Sequence, residues 1–331
     1  MSAKKFLEKV AALAISIVIF FTLGELITRL YLRNHVVYDI EMTKYGLAAK
    51  MDVDDPAISH MHKPNVDIHL MNVNVHINSD GFRDEERTLA KGRKYRIIFL
   101  GDSITFGWGV GREDAFPYIL EKELNKISPT EILNFGTGNY NTEQEVGIFL
   151  KKGLKYDPDK VVIFYFINDA ELTPKKSKLW FLGHSRMVSF YWSKFQSIRS
   201  RLSPSKGYKE YYSNLYTDKN PGWQNTKKSF LQIKNVCDEK KIAFQVVILP
   251  ELHDLSHYPF KKEQDVVEAF LKENNIEYLD LTQYFEGYKR SEELWVSNDD
   301  AHPNTLAHRL IAKYIYDFIR NDLTPSPEGT E

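Results

Sequence analysis

The 331 residues contain a single cysteine, Cys237. That excludes an intramolecular disulfide, a CxxC redox pair and a multi-cysteine zinc site, without fixing the compartment. Net charge is equally scarce: 44 Lys and Arg face 45 Asp and Glu, so no bulk field draws the chain to nucleic acid or an anionic surface. There is no GxSxG, which leaves the nucleophile elbow of the α/β-hydrolases without support. GWGVGR at 107–112 has Arg112 where GxGxxG needs its third glycine, so nucleotide binding has little support either. No internal repeat is found. What is present is an ordinary globular composition, 43% hydrophobic and 13% aromatic, for which no cofactor and no nucleic-acid partner are expected.

The least globular part is the N-terminus. Lys4, Lys5 and Lys9 precede a run without charge from Val10 to Gly24; Glu25 interrupts it, and apolar character continues to Leu32. Roughly 20 apolar residues span a bilayer, so residues 1–32 read as a membrane anchor with Glu25 near the interface. A cleaved signal peptide is the rival reading, but no small-x-small site follows the run. Three lysines before it, with Arg29 and Arg33 near its far end, favour the N-terminus inside. The expectation is a single-pass protein whose domain lies outside the cytoplasm, periplasmic or at the cell surface.

Residues 33–93 read as an arm. Alternation at Val66, Ile68, Met71, Val73, Val75 and Ile77 predicts one or two strands at a sheet edge. Asn78-Ser79-Asp80-Gly81 predicts a turn. Phe82 and Arg83 follow it as docking residues, with a structural salt bridge expected for Arg83.

From residue 94 apolar strands alternate with amphipathic helices. Strands are expected at 95–100, 131–136, 161–166, 244–250 and 276–281, and helices at 116–127, 142–156, 223–239, 262–274 and 304–322, with Asp114 as a helix cap. This rhythm predicts an α/β three-layer sandwich around a mostly parallel, doubly wound sheet over 94–322. Ligands of such sheets bind beyond the carboxyl ends of strands. Ser103, Gly138 and Asn168 all lie just past strand ends and are candidates to line one crevice. Residues 170–222, rich in Lys, Tyr, Trp and Phe, break the rhythm and read either as a lid over that crevice or as a helical excursion. The tail 323–331 is expected to be disordered.

Ser103, in Gly101-Asp102-Ser103, is a candidate nucleophile that needs a base and an orienter. SNDDAHPN at 297–304 offers His302 as the base. Asp299, three residues earlier, can turn back on a loop to hold Nδ1–H and leave Nε2 free. Asp300 is a rival at a spacing that looks less natural for a loop. Donors for a developing oxyanion are the Ser103 N–H, a backbone N–H of the glycine loop 134–141, and the Asn168 side chain. His253 and His257 are spaced as a metal pair, but polar loop histidines are the better reading and no metal is expected. His308 reads as a surface or packing residue, and Trp108 as core or as an acyl-pocket wall.

In this order, GDS at 101–103, the glycine block at 134–140, Asn168-Asp169 and DxxHPN at 299–304 resemble the SGNH, or GDSL-type, hydrolases over about residues 94–322. The resemblance implies a flavodoxin-like three-layer sandwich and acyl-ester hydrolysis. It implies Ser103 as nucleophile, His302 as base and Asp299 as orienter, with the Ser103 N–H and Asn168 in the oxyanion hole. Two positions depart from the pattern. The block-two glycine falls at Asn139, with Gly138 one residue earlier, so either N–H can serve. Phe166 replaces the glycine two residues before Asn168, which would narrow the pocket. The anchor, the arm ending in NSDGFRDEE, and ILPELHDLSHYPF are similar to membrane-anchored bacterial members, whose substrates, where inferred, are often acylated surface polysaccharides. The expected function is a membrane-tethered serine esterase acting on O-acyl, especially O-acetyl, esters of an extracytoplasmic glycan or on a small ester. An O-acyltransferase, a lysophospholipase or thioesterase, and an idle glycan-binding protein are the alternatives.

Overall fold

The computed structural model describes residues 3–33, 35–173, 185–202 and 207–323. The disordered tail expected after Leu323, and part of the 170–222 insertion, lie outside the described residues. The chain divides into two units.

The first unit joins residues 1–48 with residues 177–205. Helix α1 (Ala3–Leu32) is long and apolar enough to cross a membrane, and its apolar window is not buried in the protein. Helix α2 (Tyr38–Ala49) follows.

The second unit carries the sheet. Its strands are β1 (Tyr95–Gly101), β2 (Thr130–Asn134), β3 (Lys160–Tyr165), β4 (Ala243–Ile248) and β5 (Glu277–Asp280). They are parallel and ordered β2-β1-β3-β4-β5, the flavodoxin-like order, whose switch point lies between β1 and β3. The connecting helices are α3 (Ser103–Phe106), α4 (Phe116–Leu124) and α5 (Thr142–Lys152). Helix α6 (Arg186–Leu202) belongs to the first unit, while α7 (Tyr208–Leu215) and α8 (Pro221–Lys240) return to the second. Helices α9 (Lys261–Glu273), α10 (Thr282–Phe285) and α11 (Thr305–Arg320) complete the chain.

Period-two alternation in buried strands explains the layers. Ile98, Leu100, Val161, Ile163, Val246 and Ile248 pack with Phe149 of α5, Phe230 of α8 and Leu271 of α9. Ile97, Phe99, Val162, Phe164 and Val247 face the other way, onto Leu120 of α4 and Ile315 of α11. Both faces are covered, as a parallel sheet requires.

Three local expectations are corrected. The alternation at 66–77 forms its own two-stranded hairpin, Val66–Leu70 with Val73–Ile77, and not an edge of the main sheet. Asp114 does not cap α4; Ala115 occupies that position without a side-chain bond, Pro117 pre-sets the first turn, and the Asp114 carboxylate meets Arg309 at 3.2 Å. Arg83 was expected in a salt bridge. Its guanidinium instead donates to the carbonyls of Phe106, Gly107 and Val110, bracing the turn after α3. Phe82 beside it stacks on Phe135, with ring centroids 3.7 Å apart.

The insertion at 170–222 is divided between the units. Its helix α6 packs on α1. Glu25 explains the contact: Ser185 Oγ donates to Glu25 Oε2 at 2.8 Å, and the Arg186 and Met187 N–H groups donate to its oxygens at 3.0 and 2.9 Å. The carboxylate thus satisfies free N–H groups of a helix start, where negative charge is also favoured by the helix dipole. Tyr31 packs edge-on against Phe190 one turn further along.

Candidate active site

Ser103 is the first residue of α3, directly beyond β1. Asp102 caps the helix by accepting the Ile104 N–H at 2.8 Å. Ser103 itself is buried, and as a first-turn residue its N–H has no acceptor within the helix. Gly107, at φ 83°, ends the turn in the left-handed region that a side chain would disfavour.

His302 comes from 199 residues away. It lies on the strand Asp300–Pro303, paired antiparallel with Trp295–Ser297. Asn304 ties this strand down: its side chain donates to the Glu293 and Trp295 carbonyls and caps α11 by accepting from Leu306 and Ala307. His302 Nε2 stands 2.8 Å from Ser103 Oγ.

The carboxylate at the other ring nitrogen is not the expected one. Asp300 Oδ1 is 2.5 Å from His302 Nδ1 and accepts the His302 N–H at 3.1 Å. Asp299 accepts from Ser297 Oγ on the exposed side. The expectation of Asp299 assumed a loop, where three residues allow a turn back. The segment is extended, so residues two apart share a face and residues three apart do not. Asp300 also accepts the indole N–H of Trp108 at 2.9 Å. Burial alone would raise the Asp300 carboxyl; its bonds to His302 and Trp108 hold it below the usual range.

The second and third strand ends also converge here. The loop after β2 packs against α3: Thr137 N–H donates to the Gly101 carbonyl at 3.0 Å, and Asn134 Nδ2 to the Thr105 carbonyl at 2.9 Å. A Cβ on Gly136 would overlap Phe106 N. Gly138 and Asn139 form the outer turn, with Asn139 at φ 64°. Asn168 lies beyond β3 in the turn Ile167–Ala170, and its side chain reaches the Asp102 carboxyl. Phe166, at the position of the missing glycine, is half-buried against both cores.

Several polar groups around the site escape a reading of motifs. Lys50 bonds the Gly138 turn from the arm, and burial brings its ammonium down to about 7. Burial beside Lys50 lowers His60 to about 4. Behind the sheet, Glu145 and Asp169 are fully buried, and Asp102 lies close by. Burial, with repulsion from Asp102 on Glu145 and from Glu145 and Asp102 on Asp169, raises both well above the ordinary carboxylate range. The surroundings of Trp108 were legible as GWG, but its carboxylate partner was not.

The remaining histidines divide by environment. His308 is buried in α11, stacks on Phe116 and is lowered to about 3 by burial, so its Nδ1 accepts the Phe116 N–H. His253 pairs with Glu251, while His257 is exposed next to Ser256.

The model of the GDSL-like Lipase/Acylhydrolase family matches residues 99–310. Among solved structures, the lipase/acylhydrolase from Enterococcus faecalis is 18% identical, covering 70% of this chain and 98% of its own, with a TM-score of 0.45. The esterase EstA from Pseudoalteromonas sp. is 15% identical over 70% of this chain and 99% of its own, with a TM-score of 0.45. An acetyl xylan esterase is 16% identical over 68% and 99%, with a TM-score of 0.43. A search of curated proteins gave no match.

Proposed function

Since the chain belongs to the GDSL-like lipase/acylhydrolase family and is a carboxylic ester hydrolase, we propose that it is a membrane-tethered serine esterase that removes short O-acyl groups, foremost O-acetyl, from a glycan outside the cytoplasm. The observation that carries the chemistry is the aligned set Ser103 Oγ, His302 Nε2 and Asp300 at Nδ1. His302 takes the serine proton as Oγ attacks the acyl carbonyl. Asp300 fixes the tautomer and stabilises the imidazolium that forms. The Ser103 N–H, the Gly138–Asn139 turn and the Asn168 side chain receive the charge on the acyl oxygen. His302 then returns the proton to the departing sugar oxygen, and water releases the acyl group by the same route in reverse.

The tether is supported by the length and apolar exposure of α1. An extracytoplasmic domain is supported by Lys4, Lys5 and Lys9 ahead of it. Phe166 in place of glycine supports a short acyl group. The glycan rests on the likeness of the anchor and arm to anchored bacterial members. Ser103→Ala should abolish release of acetate from acetylated polysaccharide and of p-nitrophenol from p-nitrophenyl acetate. Turnover equal to the parent in that variant would refute the nucleophile.

A further inference from the structure

The arm precedes the matched region, yet it grips the loop that follows β2. A two-stranded ladder pairs Lys50–Asp52 with His60–His62. From it, Lys50 Nζ donates to the Gly138 carbonyl at 2.5 Å and to Asn139 Oδ1 at 3.0 Å. His60 Nε2 lies 3.4 Å from the same carbonyl. Tyr140 OH donates to the His60 carbonyl at 2.6 Å, and Gln144 Nε2 to the Ile58 carbonyl at 2.7 Å, so the loop also grips the ladder.

Peptide geometry gives this clamp a direction. A trans peptide sets its N–H opposite its C=O. The Gly138 carbonyl faces Lys50, so the Asn139 N–H faces away from the ladder. Among the described residues no hydrogen-bond acceptor meets that N–H. Its loop is the one seated against Gly101 and α3, the turn that carries Ser103. Asparagine tolerates the left-handed backbone at φ 64° better than most residues, and here its side chain is also held by Lys50. A donor on a carbonyl draws electron density through the peptide and strengthens the N–H on the other side.

We propose that Lys50 is a positioning residue of the oxyanion hole: it orients and polarises the Gly138–Asn139 peptide so that the Asn139 N–H donates to the acyl oxygen as charge develops. The assignment rests on Ser103 being the nucleophile. It gives the arm a part in turnover, and it chooses Asn139 over Gly138 at the position where the family pattern has glycine.

The test uses the full-length chain in detergent micelles, with p-nitrophenyl acetate as substrate and phenylboronic acid as a tetrahedral mimic. Removing an oxyanion donor outright costs about 100- to 1,000-fold in kcat; removing only its support, by Lys50→Met, should cost about 10- to 100-fold with KM within about threefold. The inhibition constant for phenylboronic acid should rise in parallel with the loss in kcat. Lys50→Arg keeps a cationic donor and should restore most of the rate. A parent that turns over and is labelled at Ser103 by a fluorophosphonate, beside a Lys50→Met variant of unchanged kcat, would overturn the proposal alone. So would loss of kcat in both variants together with a lowered melting temperature, the mark of a purely structural lysine. A parent that neither labels nor turns over would overturn the nucleophile and this proposal with it.

Discussion

The pair Asp299 and Asp300 offers the sharpest test, because neighbouring carboxylates have opposite expected outcomes. Asp300 accepts from three donors: His302 Nδ1 at 2.5 Å, the His302 N–H at 3.1 Å and the Trp108 indole at 2.9 Å. Asp300→Asn keeps the shape but replaces one oxygen by an NH₂ group. Because two donors cannot face each other, an amide turned towards Nδ1 forces that nitrogen to accept. The proton then sits on Nε2, facing Ser103 Oγ, and the imidazole no longer serves as a base. The equivalent change in a serine protease lowers kcat about 10⁴-fold, the size expected of a wrong tautomer. If the amide instead keeps its oxygen on Nδ1, the lost item is the negative charge behind the imidazolium, and the cost is smaller. A fall of about 10²- to 10⁴-fold is therefore expected, or about 3 to 5.5 kcal/mol of transition-state stabilisation. Asp299→Asn, whose bond is to Ser297 on the surface, should stay within about twofold. The assay is steady-state hydrolysis of p-nitrophenyl acetate, with melting temperatures to confirm folding. A crippled Asp299→Asn beside an active Asp300→Asn would refute the strand argument.

Two further outcomes concern stability. The Glu145 carboxyl, buried with no hydrogen-bond partner among the described residues, holds its proton in the fold at pH values where an unfolded Glu, near 4.5, has lost it. The folded state then binds more protons than the unfolded one, so stability falls as pH rises above about 4.5. Glu145→Gln should remove part of that slope, gaining on the parent between pH 5 and pH 8 in urea unfolding; Asp169 and Asp102 are raised too and keep the remainder. A gain of the same size at both pH values would defeat this account. Gly136→Ala forces a methyl into Phe106 N, and overpacking of this kind costs about 1–3 kcal/mol; it should lower the melting temperature and, by shifting α3, depress kcat further, and a variant matching the parent in both would show that the loop gives way.

The sheet was legible because its strands are buried on both faces and read as apolar runs, VVIFYF above all. Ser103 and His302 were legible because each stands just past a strand or just before a helix. The carboxylate that meets His302 Nδ1 was misread because secondary structure was misassigned over four residues. Asp300–Pro303 is too short and too polar to announce a strand, and only its pairing with Trp295–Ser297 makes it extended. The partners of Arg83 and the part played by Lys50 were hidden for a related reason. Both act on backbone carbonyls, and a carbonyl leaves no trace in residue identity. Nothing local in the stretch around Lys50 marks it as belonging beside a loop 88 positions away.

The cap that Glu25 places on α6 has a consequence for how the protein is made. The ribosome releases Glu25 about 160 residues before the N–H groups it accepts. By then the segments for β1, β2 and β3 have emerged, so the helical unit closes only after much of the hydrolase has been translated. A fragment prepared without its leading helix would carry α6 with its first turn uncapped and Phe190 stripped of Tyr31, next to Tyr191, Trp192 and Phe195, which the whole chain already exposes; that makes the insertion the place where such a preparation would start to aggregate.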